Sequence, residues 1–574
     1  MIHSVDPRQN RFFDPFDGVI PPAGRRIIGE GWQGVFRHVL LELMPVGDLA
    51  QHFSPSLGAP TKELYSMAGL VFLADFFGWT SQEAAETYIF RSDVQYALNL
   101  QPGVEVCART VERYQKLFRE NDLAASVFED VTARLVQVLE LDVSRQRLDS
   151  THLFSHMATF GRTKLMAVAI KRFLTQLKRH APQHYAALPE DFRHRYEPAQ
   201  ARLFSDAKDA EARARCRQQV AEDLHFVIAR FAACSEWARR PTYKALVTIF
   251  DQQCELSAGK VVVKAKTGGD CIQNPSDLDA TYDAPKGPGY QVQLAETGAP
   301  QNEVQLITAA LPQTAGESDA AAVVPVLECL EEAQRLPKEM VVDTTYGSDE
   351  NVQAAAARGV DLVGPIPGRT PESPPEALTV DDFAWDERTG RVNACPAGHV
   401  PLSSSRDAET AKTRVEMPAA ACTGCPFRAQ CPIQRTGDGH FTLEFTDKER
   451  RLAGRRVEEQ TDAFRQRYAS RSGIESTHSG LKNRLGLGRL RVRGRGSVFR
   501  MILHKLTGWN VLRAAAAPKL RAWVRTQVAQ TLKGGESEAS ERPCAPVLRL
   551  WDGFKTVLGA SHGVPHGLAV MRAA

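Results

Sequence analysis

A chain of 574 residues, 43% hydrophobic and 24% charged, has room for roughly two to four soluble domains with substantial cores. Its formal net charge of +3 says little by itself, so any nucleic-acid surface must be a local concentration of cations. The longest apolar segment, about 67 to 79, is broken by Asp75 and too short to span a bilayer, and no basic start followed by an apolar stretch opens the chain. The expectation is a cytoplasmic, nucleoid-associated protein, and eleven mostly scattered cysteines fit a reducing compartment.

Residues 1–30 are polar and rich in Pro and Gly, and are expected to form a flexible arm. Residues 31–140 read as a helical domain: Pro60-Thr61-Lys62-Glu63 starts one helix, Thr80-Ser81 with the following Gln and Glu starts a second, and Thr110 caps a third. Then comes Arg147-Leu148-Asp149-Ser150-Thr151-His152, a strand-like segment carrying a lone Asp before small hydroxylated residues. A charged stretch from about 171 to 250, with arginine and glutamate repeated, reads as a solvated helical insertion.

Strand patterns resume at Lys260-Val-Val-Val-Lys264 and run to Val342, with a helix between at about 320–335. Met340-Val341-Val342 is the apolar run of a buried strand, and it delivers Asp343 before Thr344-Thr345-Tyr346-Gly347. Taken alone, Asp149 or Asp343 reads more readily as a turn or helix-capping residue, since Asp is among the commonest caps. A helix over 351–358 and a strand at 360–364 follow, so residues 141–364 predict a mixed α/β sheet.

Residues 365–450 read as a linker and a cysteine-rich insert. Cys395, Cys422, Cys425 and Cys431 fall close together, and the two-residue spacing of Cys422 and Cys425 is that of a zinc knuckle. Four thiolates predict one structural Zn²⁺; His399 is the alternative fourth ligand, and a chance cluster of reduced cysteines or a redox pair are the competing readings. Residues 451–530 form a basic carboxy-terminal part. From Arg465 to Arg513 there are twelve Lys or Arg against one acid, Glu475. In an extended run, Arg489, Arg491, Arg493 and Arg495 all point one way, as a phosphate-contacting edge would. Residues 531–574 read as a linker and tail.

Within that basic part, Tyr468, Arg471, Glu475 and Lys482 are offset by three, four and seven residues, which places all four on one helical face. This spacing resembles the tyrosine, arginine, glutamate, lysine signature of DDE transposases encoded by bacterial insertion sequences. Asp277-Leu-Asp279-Ala280, Lys286-Gly287 and Gly289-Tyr290 are similar to a run joining central strands in the same group. The resemblance covers about residues 30 to 515.

It implies an RNase H-like catalytic core in which Asp149, Asp343 and Glu475 are the catalytic residues, binding two Mg²⁺ (or Mn²⁺) ions for in-line displacement at phosphorus. It further implies that Tyr468, Arg471 and Lys482 contact DNA, that the amino-terminal helices bind DNA, and that a homo-oligomer, a dimer, engages double-stranded transposon ends and target DNA. The function so implied is metal-dependent strand cleavage and strand transfer at element ends. Two alternatives remain open: a domesticated RNase H-like nuclease that cuts without joining, and a zinc-containing DNA-binding protein whose acids are structural.

Overall fold

The computed structural model describes residues 1–526 except 8–14, 17, 30, 101–102, 159, 198–208, 367–376, 387–388, 390, 408–409, 411, 521 and 524–525. The expected tail at 531–574 and most of the linker beginning at 365 therefore lie outside the described residues.

The described part of the amino-terminal arm is tied down rather than free. The Met1 ammonium donates to the Leu57 carbonyl, His3 N donates to Thr61 Oγ1, and residues Pro22–Gly29 are helical. The longest of the helices that follow are α1 (Leu64–Phe77), α2 (Ser81–Phe90), α3 (Ala108–Glu120) and α4 (Leu123–Leu139). Thr80 and Glu83 close the expected capping box on α2. Glu63 caps α1, its carboxylate accepting from Tyr65 N and Ser66 N, because a carboxylate spans two orphan amides at once. Thr110, expected as a cap, lies inside α3, which starts at Ala108.

Every residue of α1 but Tyr65 is buried, so its continuous apolar run is a central core helix. A single apolar core joins this helical region to residues 481–520 and to the flank of the sheet. The helices of residues 31–140 therefore form no core of their own.

The main sheet has six strands: β1 (Arg145–Leu153), β4 (Thr281–Asp283), β5 (Gly287–Thr297), β6 (Ile307–Thr314), β7 (Glu339–Val342) and β8 (Asp361–Val363). Their order is β4-β5-β1-β7-β8, with β6 also pairing β5. β1 is antiparallel to β5 and parallel to β7, and β7 is parallel to β8, which gives the expected mixed sheet. Between β1 and β4 the chain builds a helical insertion with its own core, from α5 (Arg162–His180), α6 (Ala210–Phe231) and α7 (Pro241–Gln253). The Lys260 strand belongs to this insertion: β2 (Cys254–Ser257) and β3 (Lys260–Val263) make a separate hairpin, contrary to the expectation that it joins the main sheet. α8 (Val323–Glu332) and α9 (Asp349–Ala356) flank β7.

Residues 377–446 form a satellite with its own small core and a four-stranded antiparallel sheet. The chain then returns through α10 (Asp447–Glu459), α11 (Asp462–Tyr468), α12 (Gly473–Leu485) and α13 (Arg495–Ala514). Tyr468 to Lys482 is not one helix, since a 3₁₀ turn over Ala469–Ser472 separates α11 from α12. Among the described residues no helix is long and apolar enough to cross a membrane.

Candidate active site

Register brings the first two acids together. β1 and β7 run parallel with Leu148 opposite Val342, so Asp149, which stays within β1 opposite Leu294 of β5 rather than ending a strand as expected, stands beside Asp343, the first residue past β7. Each carboxylate then accepts from the following amide: Asp149 Oδ1 from Ser150 N at 2.8 Å and Asp343 Oδ1 from Thr344 N at 2.6 Å. Asp343 also caps the short turn Thr344–Tyr346, so its capping role and its place in the site coexist.

α12 supplies the third acid, and a buried network sets that helix on the sheet. Glu296 on β5 is fully buried and accepts from Arg147 Nε at 2.8 Å and Nη2 at 2.7 Å, and from Thr477 Oγ1 of α12 at 2.6 Å. Arg147 Nη1 also donates to the Ser470 carbonyl in the turn before α12. One carboxylate and one guanidinium thus tie β1, β5 and α12 together. One turn on from Thr477, Gly480 lets Trp509 of α13 approach so closely that a Cβ would lie 2.1 Å from its ring.

The three acids converge on Arg471. Its guanidinium lies 3.2 Å from Asp149, 3.8 Å from Asp343 and 3.2 Å from Glu475. Burial pushes the Asp149 carboxyl up and the like charges of Asp343 and Asp319 add to this, against the lowering pull of Arg471. Glu475 reaches outward, with its side chain 67% exposed, while that of Asp149 is 15% exposed. Tyr468 stacks on Phe464, and its hydroxyl is raised by burial and by Asp343 and Asp149 despite Arg471. The break between α11 and α12 therefore leaves Tyr468, Arg471 and Glu475 facing one site.

Lys286, Asp319 and His478 add to this site, and of the three only Lys286 is among the residues that carry the sequence resemblance to the transposase group. Lys286 lies 3.1 Å from Asp319 Oδ2 and 3.4 Å from Ser150 Oγ. Asp319 Oδ1 accepts from Gln293 Nε2 at 2.8 Å. His478 is pushed down to about 4 by burial and by Lys482, Arg471 and Arg147, so it is neutral near pH 7. Lys482 projects from the same helix, one turn beyond.

The basic run follows its alternation only as far as Arg493, because Arg495 opens α13 instead of continuing the extended segment. Arg489, Arg491, Arg493 and Arg495 are exposed, while Leu490 is buried between them. The run is extended because it adds to the end of β1: Phe154 N donates to the Gly488 carbonyl, and Leu490 N to the Phe154 carbonyl. Part of its charge is already engaged. Arg491 pairs with Glu83 at 3.1 Å, and Arg489 lies over the Phe154 ring.

Cys395, Cys422, Cys425 and Cys431 line one cavity together with His399 and Arg428, and all four thiols are free. Burial pushes the Cys422 and Cys431 thiols up, and the other cysteines of the set add to it. Among the described residues, however, no group of three or more His, Cys, Asp or Glu is closed tightly enough to hold a metal ion. At the three acids the Arg471 guanidinium stands between the carboxylates; at the thiols the four side chains line one cavity.

Residues 394–515 match the family described as Transposase DDE domain. The match takes in the cysteines, the basic run and the segment from Tyr468 to Lys482, but not Asp149 or Asp343. It supports assignment to the DDE transposase class of enzymes. A solved structure described as "Cryo-EM structure of piggyBac transposase synaptic complex with hairpin DNA (SNHP)" aligns over 71% of this chain and 74% of its own, at 9% identity and a TM-score of 0.19, an overlap too loose to carry an argument. A search of curated proteins finds no match.

Proposed function

We propose that this chain is a transposase of a bacterial insertion sequence, binding the ends of its element and carrying out metal-dependent strand cleavage and strand transfer on an RNase H-like core. The observation that carries the reading is the convergence of Asp149, Asp343 and Glu475, from three separate elements, on one guanidinium. Three carboxylates crowded enough to share a cation, one of them raised by burial and by like charge, make a donor set that suits hard divalent ions.

Asp149, Asp343 and Glu475 are the residues that would hold Mg²⁺ or Mn²⁺, two per site, and such ions supply activation of an attacking oxygen and charge relief for a leaving one. The rest falls to the chain itself. Arg471 offsets part of the charge of the three acids; with DNA present its fork and the Tyr468 hydroxyl turn to phosphate oxygens. Lys482 and the exposed edges of Arg489, Arg493 and Arg495 hold the backbone of double-stranded DNA, and the tie between Arg147, Glu296 and Thr477 keeps Glu475 in place. The four cysteines around one cavity support a structural Zn²⁺ that tethers the satellite. A dimer joining two element ends completes the reading.

The test uses labelled duplexes drawn from the DNA bordering the coding region. Incubation with Mg²⁺ is expected to nick one strand at a fixed position and then join the freed 3′ end to a second duplex. Asp149→Asn, Asp343→Asn and Glu475→Gln are each expected to abolish both steps while retaining DNA binding. Near wild-type nicking by any one of them would remove that residue from the site; nicking without joining would favour the nuclease.

A further inference from the structure

Lys286 owes its place to a turn whose backbone leaves little choice. Its amide donates to Asp283 Oδ1 at 2.8 Å, and Gly287 follows with φ +95°. At Gly289, φ is +144° and a Cβ would stand 2.4 Å from the Leu153 carbonyl oxygen, so this hairpin lies against the end of β1 as only glycine permits. The lysine is thereby delivered to Ser150, the residue after catalytic Asp149, and its ammonium rests 3.1 Å from Asp319, whose side chain is 18% exposed.

Lys482 comes from α12 to the same end of β1: a Cβ at Gly488 would stand 3.5 Å from its stem, the Gly488 carbonyl accepts from Phe154 N, and the Phe154 ring in turn lies 3.6 Å from a Cβ built at Gly287. Among the described residues the Lys482 ammonium has no hydrogen-bond or ion-pair partner. Burial and the Lys286 charge both push the Lys482 ammonium down. Between them, His152 is held low by burial and by the two lysines, and its buried Nε2 has no hydrogen-bond partner. Two ammonium groups brought to one end of β1, one of them with no counter-charge among the described residues, suit an anionic ligand. An oxyanion that must also sit next to the catalytic acids is a phosphodiester, whose oxygens can be shared by two point-charge donors.

We propose that Lys286 and Lys482 form a clamp for one backbone phosphate, and that Asp319 holds Lys286 in the DNA-free chain and releases it when that phosphate arrives. The proposal rests on the reading of DNA as substrate and adds to it a second lysine and its resting partner.

Fluorescence anisotropy with a labelled duplex of about 30 base pairs from the bordering DNA, in EDTA and from about 50 to 200 mM KCl, separates binding from cleavage. Lys286→Ala is expected to make the slope of log affinity against log salt shallower by about one, and Lys286→Arg to restore it. Asp319→Asn is expected to tighten binding several-fold, because the lysine no longer has to leave a carboxylate. If Lys286 only pins the sheet edge, Lys286→Ala keeps the wild-type slope and Asp319→Asn binds no tighter; either result overturns the clamp. Should Lys286→Ala fail to fold, the Asp319→Asn and Lys286→Arg results still decide. Wild-type protein that binds the duplex while both variants behave like it defeats the clamp alone. Wild-type protein that binds no duplex defeats the DNA reading and the clamp with it.

Discussion

Glu296 is the residue whose loss should do most to the site without touching a substrate. In Glu296→Gln the ion pair in which Arg147 Nε and Nη2 both meet Oε2 is replaced by a neutral contact, and Arg147, only 8% exposed, is left without its counter-charge. Breaking a buried pair in this way costs about 3–5 kcal/mol. Thr477 loses its charged acceptor in the same change, so the penalty falls where α12 meets the sheet. At about 1.4 kcal/mol per tenfold, amides of α12 should exchange roughly a hundred- to a thousandfold faster, up to the limit set by global opening. The insertion helices α5 and α7, which have their own core, should keep their protection. Thr477→Val removes a single bond to a charged group and should cost about 1.5–3 kcal/mol. Strand nicking should fall with the same ranking, since a displacement of about 1 Å at Glu475 costs on the order of a hundredfold in rate. Unchanged α12 exchange in Glu296→Gln, or a Thr477→Val variant more damaged than it, would refute the assignment of Glu296 as the anchor of the glutamate helix.

Replacing Arg489, Arg491, Arg493 and Arg495 together should weaken DNA binding and flatten its salt dependence, with Arg491 contributing least because Glu83 already neutralises it; an unchanged slope would show that the run faces elsewhere. Gently purified protein should carry one Zn²⁺ on Cys395, Cys422, Cys425 and Cys431, with sulfur distances near about 2.3 Å, and absence of stoichiometric zinc by elemental analysis would count against the site. Acid should loosen the joint between α1 and α13. Burial raises the Asp75 carboxyl, but Arg500 and His504 outweigh it and hold it at about 2, below its ordinary 3.8. Such a depressed group stabilises the fold above about pH 4 by about 2 kcal/mol, and this is lost as pH falls through about 2. Asp75→Asn should remove that acid-dependent part from a pH series of thermal unfolding, and an unaltered series would contradict it.

What the sequence disclosed and what it hid divide along chain distance. Asp149, Asp343 and Glu475 were legible because each announces itself locally, two at the ends of strand patterns and one in a helical spacing, and parallel register then places the strand pair together. The exposure of Arg489, Arg491 and Arg493 was legible for the same reason, since an extended backbone turns every second side chain one way. The anchor of Arg147, Glu296 and Thr477 was not, because its members lie 149 and 181 residues apart and each reads alone as an ordinary strand or helix residue. The joining of the amino-terminal helices to α13 was hidden likewise: Asp75 breaks an apolar run for no visible reason until Arg500, 425 residues on, closes on it. Local competition explains the smaller misses. A 3₁₀ turn interrupts the expected single helix at Ala469–Ser472, and Thr110, expected as a cap, lies inside α3.

The central claim is that Asp149, Asp343 and Glu475 act together as the metal-binding set of a strand-cleaving enzyme. Titration of the protein with Mn²⁺, followed by electron paramagnetic resonance of the free ion, measures that directly and needs no knowledge of the element ends. The account predicts saturable binding by the wild-type chain that is lost when the three acids are replaced together by Asn, Asn and Gln, with the zinc content unchanged. Equal Mn²⁺ binding by the wild-type chain and the triple variant would contradict it.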